Sequence, residues 1–196
     1  MAQFKKTGAA RKLVVAGCLV ERYRQDILDQ IPEVDFVIGT NELERVLEAC
    51  DDSGTARSST APVEPYLYHE LTPRVLSTPR YSAYIKIAEG CDHPCTFCVI
   101  PQMRGQFRSR RFESVVREAE TLAQQGVREF TLIGQDTTSY GEDLGIKNGL
   151  ATLLRELGNI PDLVWLRALY YYPNRITDAL IEAVRKVETA SIEVKP

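Results

Sequence analysis

Three successive strand-then-helix units constrain the fold of this chain more than any other feature. Apolar runs at residues 84–88, 129–134 and 164–169 have the length of buried strands. A helical pattern follows each run, the third with Thr177 as a candidate N-cap. The apolar positions of the three patterns are Val115, Val116, Ala119, Leu122 and Ala123; Leu150, Leu153, Leu154 and Leu157; and Leu180, Ile181, Val184 and Val187. Repeated strand–helix–strand order predicts an α/β fold with a parallel sheet of the barrel type.

The amino-terminal residues show the same alternation on a smaller scale. A short apolar run at 12–17 precedes a helical pattern that ends before Pro32. A second run at 34–38 precedes a short helical pattern at about 41–50. This order predicts a separate α/β domain over residues 1–50.

The stretch between the two blocks has a different composition. Residues 51–79 are rich in Ser, Thr, Pro and Gly and carry few apolar repeats, which predicts a linker with one strand at about 66–69. The second domain would then occupy residues 80–196. Its tail, 188–196, is not expected to supply the next strand of the sheet.

Three cysteines follow the first strand of the second domain. Cys91, Cys95 and Cys98 are separated by three and then two residues. Three thiolates on one loop can hold three irons of a four-iron, four-sulfur cube and leave the fourth iron open. The alternative is zinc, which needs four ligands, and His93 between two of the cysteines is the local candidate for the fourth. A zinc site would make the chain a metal-stabilised binding module without redox chemistry.

Other polar residues follow or interrupt the strands. The carboxyl ends of parallel strands carry the chemistry in folds of this type, and residues 134–141 and 167–173 include two such ends beside the cysteine loop. Arg167 lies inside an apolar run, where a guanidinium needs the carboxylate of a ligand or of a structural Asp or Glu. A basic stretch at 104–111 either binds a carboxylate or forms a solvated surface.

The cysteine loop resembles that of the radical S-adenosylmethionine (SAM) enzymes. Their signature is Cys-x-x-x-Cys-x-aromatic-Cys, and Phe97 fills the aromatic position. Within this superfamily the chain looks like the methylthiotransferase branch over about residues 10–50 and 80–187. The segments that carry the second resemblance are 89–101, 104–105, 109–110, 135–141 and 169–173, with 15–19 and 32–39 in the first domain.

The resemblance implies a set of cofactors and ligands. Cys91, Cys95 and Cys98 would bind a 4Fe-4S cluster whose open iron chelates SAM, and the reduced cluster would cleave SAM to methionine and a deoxyadenosyl radical. The cofactor-binding residues would include Phe97, Gln135 and Arg167. Cys18 would be one of three ligands of a second 4Fe-4S cluster. No cysteine precedes Cys18, so the second cluster is not expected to be completed here.

The resemblance also implies a substrate. Residues 135–138, Gln-Asp-Thr-Thr, are similar to the enzyme that methylthiolates an aspartate of small-subunit ribosomal protein twelve. The alternative in the same branch is the transfer-RNA adenosine methylthiotransferase, which usually shows Gln-Asn at the first two positions. The implied partners are a ribosomal protein and an electron donor such as flavodoxin or ferredoxin. The remaining barrel units and the carboxy-terminal domain of full-length relatives have no counterpart, so we expect a fragment that is incomplete for full turnover.

Composition indicates a cytoplasmic protein with no membrane association. The chain has 196 residues, 44% of them hydrophobic, and no run approaches the about 18 apolar residues of a membrane span. The first residues lack the apolar run of a signal peptide. Five cysteines, three of them on one loop, suit a reducing compartment. A net charge of −3 gives no basis for predicting nucleic-acid binding.

Overall fold

A computed structural model describes residues 1–50 and 66–187, together with the backbone of 190–194. The chain divides into two compact units, one made of Met1–Tyr66 with Cys95–Arg104 and the other of Leu67–Pro94 with Gly105–Pro196. Most of the predicted linker, 51–65, lies outside the described residues. Helices and strands alternate in both units, which confirms the predicted α/β class.

The described elements follow the predicted order closely. The helices are α1 (Gln3–Thr7), α2 (Cys18–Gln30), α3 (Val46–Cys50), α4 (Ile100–Arg104), α5 (Phe112–Gln124), α6 (Gly149–Gly158) and α7 (Asp178–Lys186). The strands are β1 (Val14–Ala16), β2 (Phe36–Ile38), β3 (Ser82–Lys86), β4 (Ala88–Glu89), β5 (Arg108–Ser109), β6 (Glu129–Ile133), β7 (Trp165–Tyr171) and β8 (Ala190–Val194). Short 3₁₀ turns occupy Leu43–Arg45 and Pro173–Arg175. No helix in these described ranges is both long and apolar enough to span a bilayer.

The first unit contains a two-stranded parallel sheet. β1 and β2 pair from Val14 with Phe36 to Ala16 with Ile38. Helix α2 buries Val20 and Ile27 against this pair, because these residues lie seven positions apart on one helical face. The turn into α2 passes through a glycine with a positive φ and places Cys18 at the first helical position.

The second unit is built on a four-stranded parallel sheet in the order β3-β6-β7-β8. One face packs against α5, α6 and α7, whose buried positions match the three predicted helical patterns except at Ile181, which is 44% exposed, while Ala183 is buried. The fully buried strand residues on this face include Ala83, Ile85, Phe130, Leu132, Leu166 and Ala168. The opposite face is more polar, since strand side chains alternate and Tyr84, Thr131 and Arg167 point the other way. The amphipathic helices therefore cover one side of the sheet.

Two predicted features of this region are wrong and one is confirmed. Residues 66–69 form no strand. The tail does contain a strand, β8, which pairs in parallel with β7. Residues 190–194, Ala-Ser-Ile-Glu-Val, alternate between apolar and polar, so the pattern of a short strand is present in the tail. Thr177 caps α7 as predicted, its side chain accepting from the Leu180 amide at 3.3 Å.

Candidate functional site

The cysteine loop begins where the first strand of the sheet ends. The chain leaves β3 at Lys86, forms β4, and turns at Gly90, which has a φ of +81°. A Cβ at Gly90 would collide with the carbonyl oxygen of Gln106, so only glycine fits this close approach. The Gly90 amide donates to Oε1 of Gln135 at 2.9 Å. Gln135 follows β6, so this bond joins two neighbouring strand ends.

The next two residues are also held by the second unit. The Cys91 amide donates to the carbonyl of Gly105 at 3.3 Å, and Cys91 is 8% exposed. Oδ1 of Asp92 accepts from the Phe107 amide at 2.9 Å. These bonds tie the start of the loop to the segment that returns from it towards β5. Cys91 therefore has a defined, buried position.

His93 contacts two strand ends at once. Its Nε2 lies 2.7 Å from Oδ2 of Asp136, and its ring stacks on Tyr172 with centroids 3.8 Å apart and planes inclined by 18°. The sequence pattern indicated His93 only as a candidate zinc ligand. In the structure it joins the loop to the residues that follow β6 and β7. The one sequence signal for this role is a histidine in the loop together with an aspartate at a predicted strand end.

Asp136 is the most heavily bonded side chain in this region. It is 3% exposed and accepts from the Thr138 amide at 2.9 Å, from the Thr138 hydroxyl, and from the Ser139 hydroxyl at 2.6 Å. The neighbouring Thr137 donates its hydroxyl to the carbonyl of Leu169 in β7 at 2.8 Å. The turn after β6 is thus fixed to β7 while it presents Asp136 to His93.

The three consecutive tyrosines at the end of β7 have different environments. Tyr170 has a φ of +66° and lies where the pairing of β7 with β8 shifts register. Tyr171 is fully buried, and desolvation raises the pKa of its hydroxyl, so it stays protonated in the physiological range. Tyr172 stacks on His93. Tyr171 is therefore a packing residue, Tyr170 is 45% exposed, and Tyr172 belongs to the candidate site.

The other two loop cysteines belong to the first unit. Cys95 and Cys98 are half-buried, and the Cys98 amide donates to the Cys95 carbonyl at 3.0 Å to form a turn. Phe97 in this turn is 92% exposed. A side chain so exposed makes little contact within the protein, and its role in cofactor binding stays a prediction.

Cys18 and Cys50 lie apart in the first unit. Cys18 starts α2, and Nη2 of Arg104 lies 3.0 Å from its sulfur. Cys50 ends α3 and is exposed. The structure gives Cys18 a cationic neighbour, while its predicted role as a cluster ligand stays a prediction.

Arg167 has a carboxylate partner within the sheet. Its guanidinium lies 3.4 Å from Glu129 and stacks over the Trp165 ring at 3.8 Å from the centroid. Glu129 and Trp165 are the first residues of β6 and β7, so the guanidinium extends towards the amino ends of the strands. Glu129 thus supplies the structural carboxylate that a guanidinium in a strand needs. The predicted contact of Arg167 with a cofactor stays a prediction.

The cysteines have the chemistry that an iron–sulfur cluster requires. All five are free thiols, so none of the loop cysteines is consumed in a disulfide. Three thiolates on one loop are the donor set of a 4Fe-4S cube with an open iron. Across residues 1–50 and 66–187, no three His, Cys, Asp or Glu side chains converge tightly enough to share a single metal ion.

Comparisons with known proteins agree with this chemistry. Residues 85–191 match the model of the radical SAM superfamily. The ribosomal protein uS12 methylthiotransferase RimO of Solibacter usitatus is 64% identical over 94% of this chain and 39% of that protein. Its namesake from Koribacter versatilis is 52% identical over 94% of this chain and 45% of that protein. The chain therefore spans about two-fifths of the length of these relatives.

Solved structures show the same fold. The radical SAM methyltransferase TsrM of Kitasatospora setae, with cobalamin and a [4Fe-4S] cluster bound, superposes with a TM-score of 0.61 at 20% identity, covering 93% of this chain and 42% of that one. The same enzyme with tryptophan and a SAM analogue gives a TM-score of 0.64 at 18% identity, covering 93% and 41%. The resemblance drawn from the cysteine spacing is confirmed, because the matched model covers more than half of the residues and includes all three loop cysteines. On this evidence the chain belongs to the radical SAM superfamily.

Proposed function

We propose that this chain is the cofactor-binding part of a radical SAM methylthiotransferase that modifies ribosomal protein uS12. The observation that carries the proposal is the 64% identity, over 94% of the chain, to a protein named for that activity. Residues 135–138, Gln-Asp-Thr-Thr, support the same branch and lie at the end of β6 beside the cysteine loop. Since the chain spans about two-fifths of such relatives, the complete activity is assigned to the whole protein.

Cys91, Cys95 and Cys98 would hold a 4Fe-4S cluster, and SAM would bind its open iron. When bound, this group supplies the electron that cleaves SAM reductively. Within the second unit, Gly90 and its bond to Gln135 keep Cys91 buried at the end of β4. Burial of that thiol limits water and oxidant access to the cofactor side of the loop.

Gln135 and Arg167 would contribute to SAM binding. Oε1 of Gln135 accepts from the Gly90 amide and keeps a second lone pair, which can accept from the ammonium group of SAM. The guanidinium of Arg167 pairs with Glu129 towards the amino ends of the strands, so contact with the SAM carboxylate would require it to leave that pair. Phe97, exposed on the turn between Cys95 and Cys98, would cover the bound cofactor.

The proposal extends to partners and compartment. A small redox protein such as flavodoxin or ferredoxin would deliver the electron that reductive cleavage of SAM requires. Five free cysteines are consistent with the reducing environment of the cytoplasm, where the ribosomal substrate is made. A second cluster, which the family uses in sulfur delivery, would need ligands beyond Cys18.

Anaerobic reconstitution tests the cofactor assignment. The reconstituted protein should contain about four irons and four sulfides per chain. Replacing Cys91, Cys95 or Cys98 by Ser should abolish cluster uptake, whereas Cys50→Ser, a matched thiol outside the loop, should not. Stoichiometric zinc without labile sulfide would contradict the proposal and favour the binding module.

The substrate is tested with the full-length protein that contains this chain. Reductant, SAM and purified uS12 should give an aspartate with an added methylthio group, detected by mass spectrometry. Transfer RNA serves as the parallel substrate. Modification of adenosine instead of uS12 would overturn the substrate assignment and leave the cofactor assignment intact.

A further inference from the structure

We infer that Asp136 and His93 are positioning residues that fix the conformation of residues 91–94, the first part of the cysteine loop. This inference rests on the proposed function in one respect, the assignment of Cys91 as a cluster ligand. The contact itself is a property of the second unit. It joins the turn after β6 to the middle of the cysteine loop through a hydrogen bond of 2.7 Å.

The orientation of Asp136 is set independently of the loop. Thr138 donates to Oδ1 through both its amide and its hydroxyl, and the Ser139 hydroxyl donates to Oδ2 at 2.6 Å. These donors lie two and three residues along the same turn, which fixes the carboxylate plane. Oδ2 then faces His93 from a buried position, with Asp136 only 3% exposed.

Two contacts fix the orientation of the imidazole. Nε2 of His93 shares a hydrogen bond of 2.7 Å with Oδ2 of Asp136, and this bond sets the direction of the ring. The stack on Tyr172 fixes the plane of the same ring. A residue held in both direction and plane has one orientation, and it lies two positions from Cys91.

The remaining bonds of the segment show why this contact is decisive. Gly90 and Cys91 are held through backbone amides, and Asp92 accepts from a backbone amide. His93 is the next residue, and its side chain is the point at which β6 and β7 both meet the loop. Without it, residue 93 loses its contacts with Asp136 and Tyr172, and the chain after Cys91 gains freedom. We therefore expect the Cys91 thiol to gain mobility when either partner of the Asp136–His93 bond is removed.

Alkylation of the metal-free, 196-residue chain tests the inference without any cofactor. The rate at which iodoacetamide modifies Cys91 would be followed by mass spectrometry of its peptide, with exposed Cys50 as internal reference. His93→Leu and Asp136→Asn should each raise the Cys91 rate about tenfold, the scale expected for losing one charge-assisted hydrogen bond. The double variant should react no faster than either single variant, because both remove the same bond.

Matched variants separate positioning from general loss of stability. Glu142→Gln changes an exposed carboxylate of the same turn that pairs with Arg175, and should leave the Cys91 rate unchanged. His93→Gln keeps a side-chain N–H donor and should restore most of the slow rate. Thermal unfolding of each variant identifies any that are destabilised globally.

The reconstituted protein supplies a second measurement. The electron paramagnetic resonance spectrum of the reduced cluster should shift in His93→Leu and Asp136→Asn and return towards that of the parent in His93→Gln. Unchanged Cys91 alkylation in both single variants would overturn the inference. Altered alkylation in a protein that binds no cluster would sustain the positioning role and instead contradict the proposed function.

Discussion

Arg110 and Glu118 form an ion pair in the interior of the second unit, with Nη1 and Oε2 2.5 Å apart. Arg110 is 1% exposed, and it also donates to the Lys86 carbonyl and to Ser114. The other carboxylate oxygen of Glu118 pairs with Arg74, whose side chain is 37% exposed. One carboxylate thus anchors a buried cation and a surface cation.

Replacing the buried cation should destabilise the protein more than replacing the exposed one. Arg110→Met leaves Glu118 buried beside an apolar group, and we expect a loss of about 3 kcal/mol in the free energy of unfolding. Arg74→Met should cost less than about 1 kcal/mol, because that pair is partly solvated. Urea denaturation of both variants provides the measurement. Equal losses of unfolding free energy in the two variants would show that burial does not determine how much each ion pair stabilises the protein.

Gly90 and Gly105 should respond differently to the same substitution. Both have positive φ, +81° and +77°, but a Cβ at Gly90 would collide with the Gln106 carbonyl, while nothing lies within 4 Å of one at Gly105. Gly105→Ala should cost about 1 kcal/mol of backbone strain and still allow cluster uptake. Gly90→Ala should prevent uptake, measured as iron bound per chain. Normal iron binding by Gly90→Ala would mean that the turn has room to relax.

Glu70 should make stability depend on pH in the acid range. A hydrogen bond from Ser114 and the pairing with Arg117 lower the pKa of Glu70 to about 2 from an ordinary value of 4.5. A depressed pKa means that the stabilisation is complete above about pH 4.5 and is lost as the pH falls towards 2. Glu70→Gln should therefore be less stable than the parent at pH 7, and the difference should shrink by pH 3. Urea denaturation at the two pH values measures this, and a difference that is the same at both would contradict the assignment.

Gln135→Ala should weaken the effect of SAM on the spectrum of the reduced cluster. The variant loses the oxygen that we propose accepts from the SAM ammonium group, whereas Gln135→Glu keeps an acceptor there. Cys50→Ala, at the end of α3, serves as the control. A titration with SAM, followed by electron paramagnetic resonance, gives the affinity of each variant. Equal affinities in the Ala variant and the control would remove Gln135 from the cofactor site.

Cys18→Ser should leave the iron content of the reconstituted chain at about four per molecule. Only Cys18 and Cys50 remain outside the loop, and a second cube with an open iron needs three thiolates. Iron and sulfide analysis on matched preparations decides the point. A fall in iron content on removing Cys18 would show that it takes part in binding the first cluster or another centre.

The sequence predicts the regular elements of this protein better than it predicts the environment of its polar residues. The buried stripes of α5, α6 and α7 repeat at helical spacing, so their apolar faces are visible without a structure. Arg110 could not be placed in this way. It lies in a basic stretch that is typical of a solvated surface. Its burial depends on the ion pair with Glu118, which lies eight residues further along the chain, in α5.

The residues of the candidate site could likewise be predicted from the sequence only in part. Spacing alone identifies Cys91, Cys95 and Cys98 as the donor set, because ligand number and separation are local properties of the chain. The partners of His93 are 43 and 79 residues further along, at the ends of two other strands. A local sequence pattern does not show which side chains from separate strand ends are close together. The contacts of His93 with Asp136 and Tyr172 could therefore be identified only from the structure.

The register shift at Tyr170 constrains how this sequence can change during evolution. Leu169 pairs with Glu193 and Tyr171 with Val194, so Tyr170 is an extra residue on β7 without a counterpart on β8. Because two residues of β7 oppose one of β8, Leu169 and Tyr171 face as consecutive residues of an ordinary strand would, and Tyr171 stays buried. Position 170 itself has a φ of +66°, a left-handed conformation that glycine and asparagine adopt more readily than β-branched residues. Descendants of this chain should therefore accept Gly or Asn at position 170 and reject Val or Ile there, so the backbone conformation limits inheritance at this exposed position.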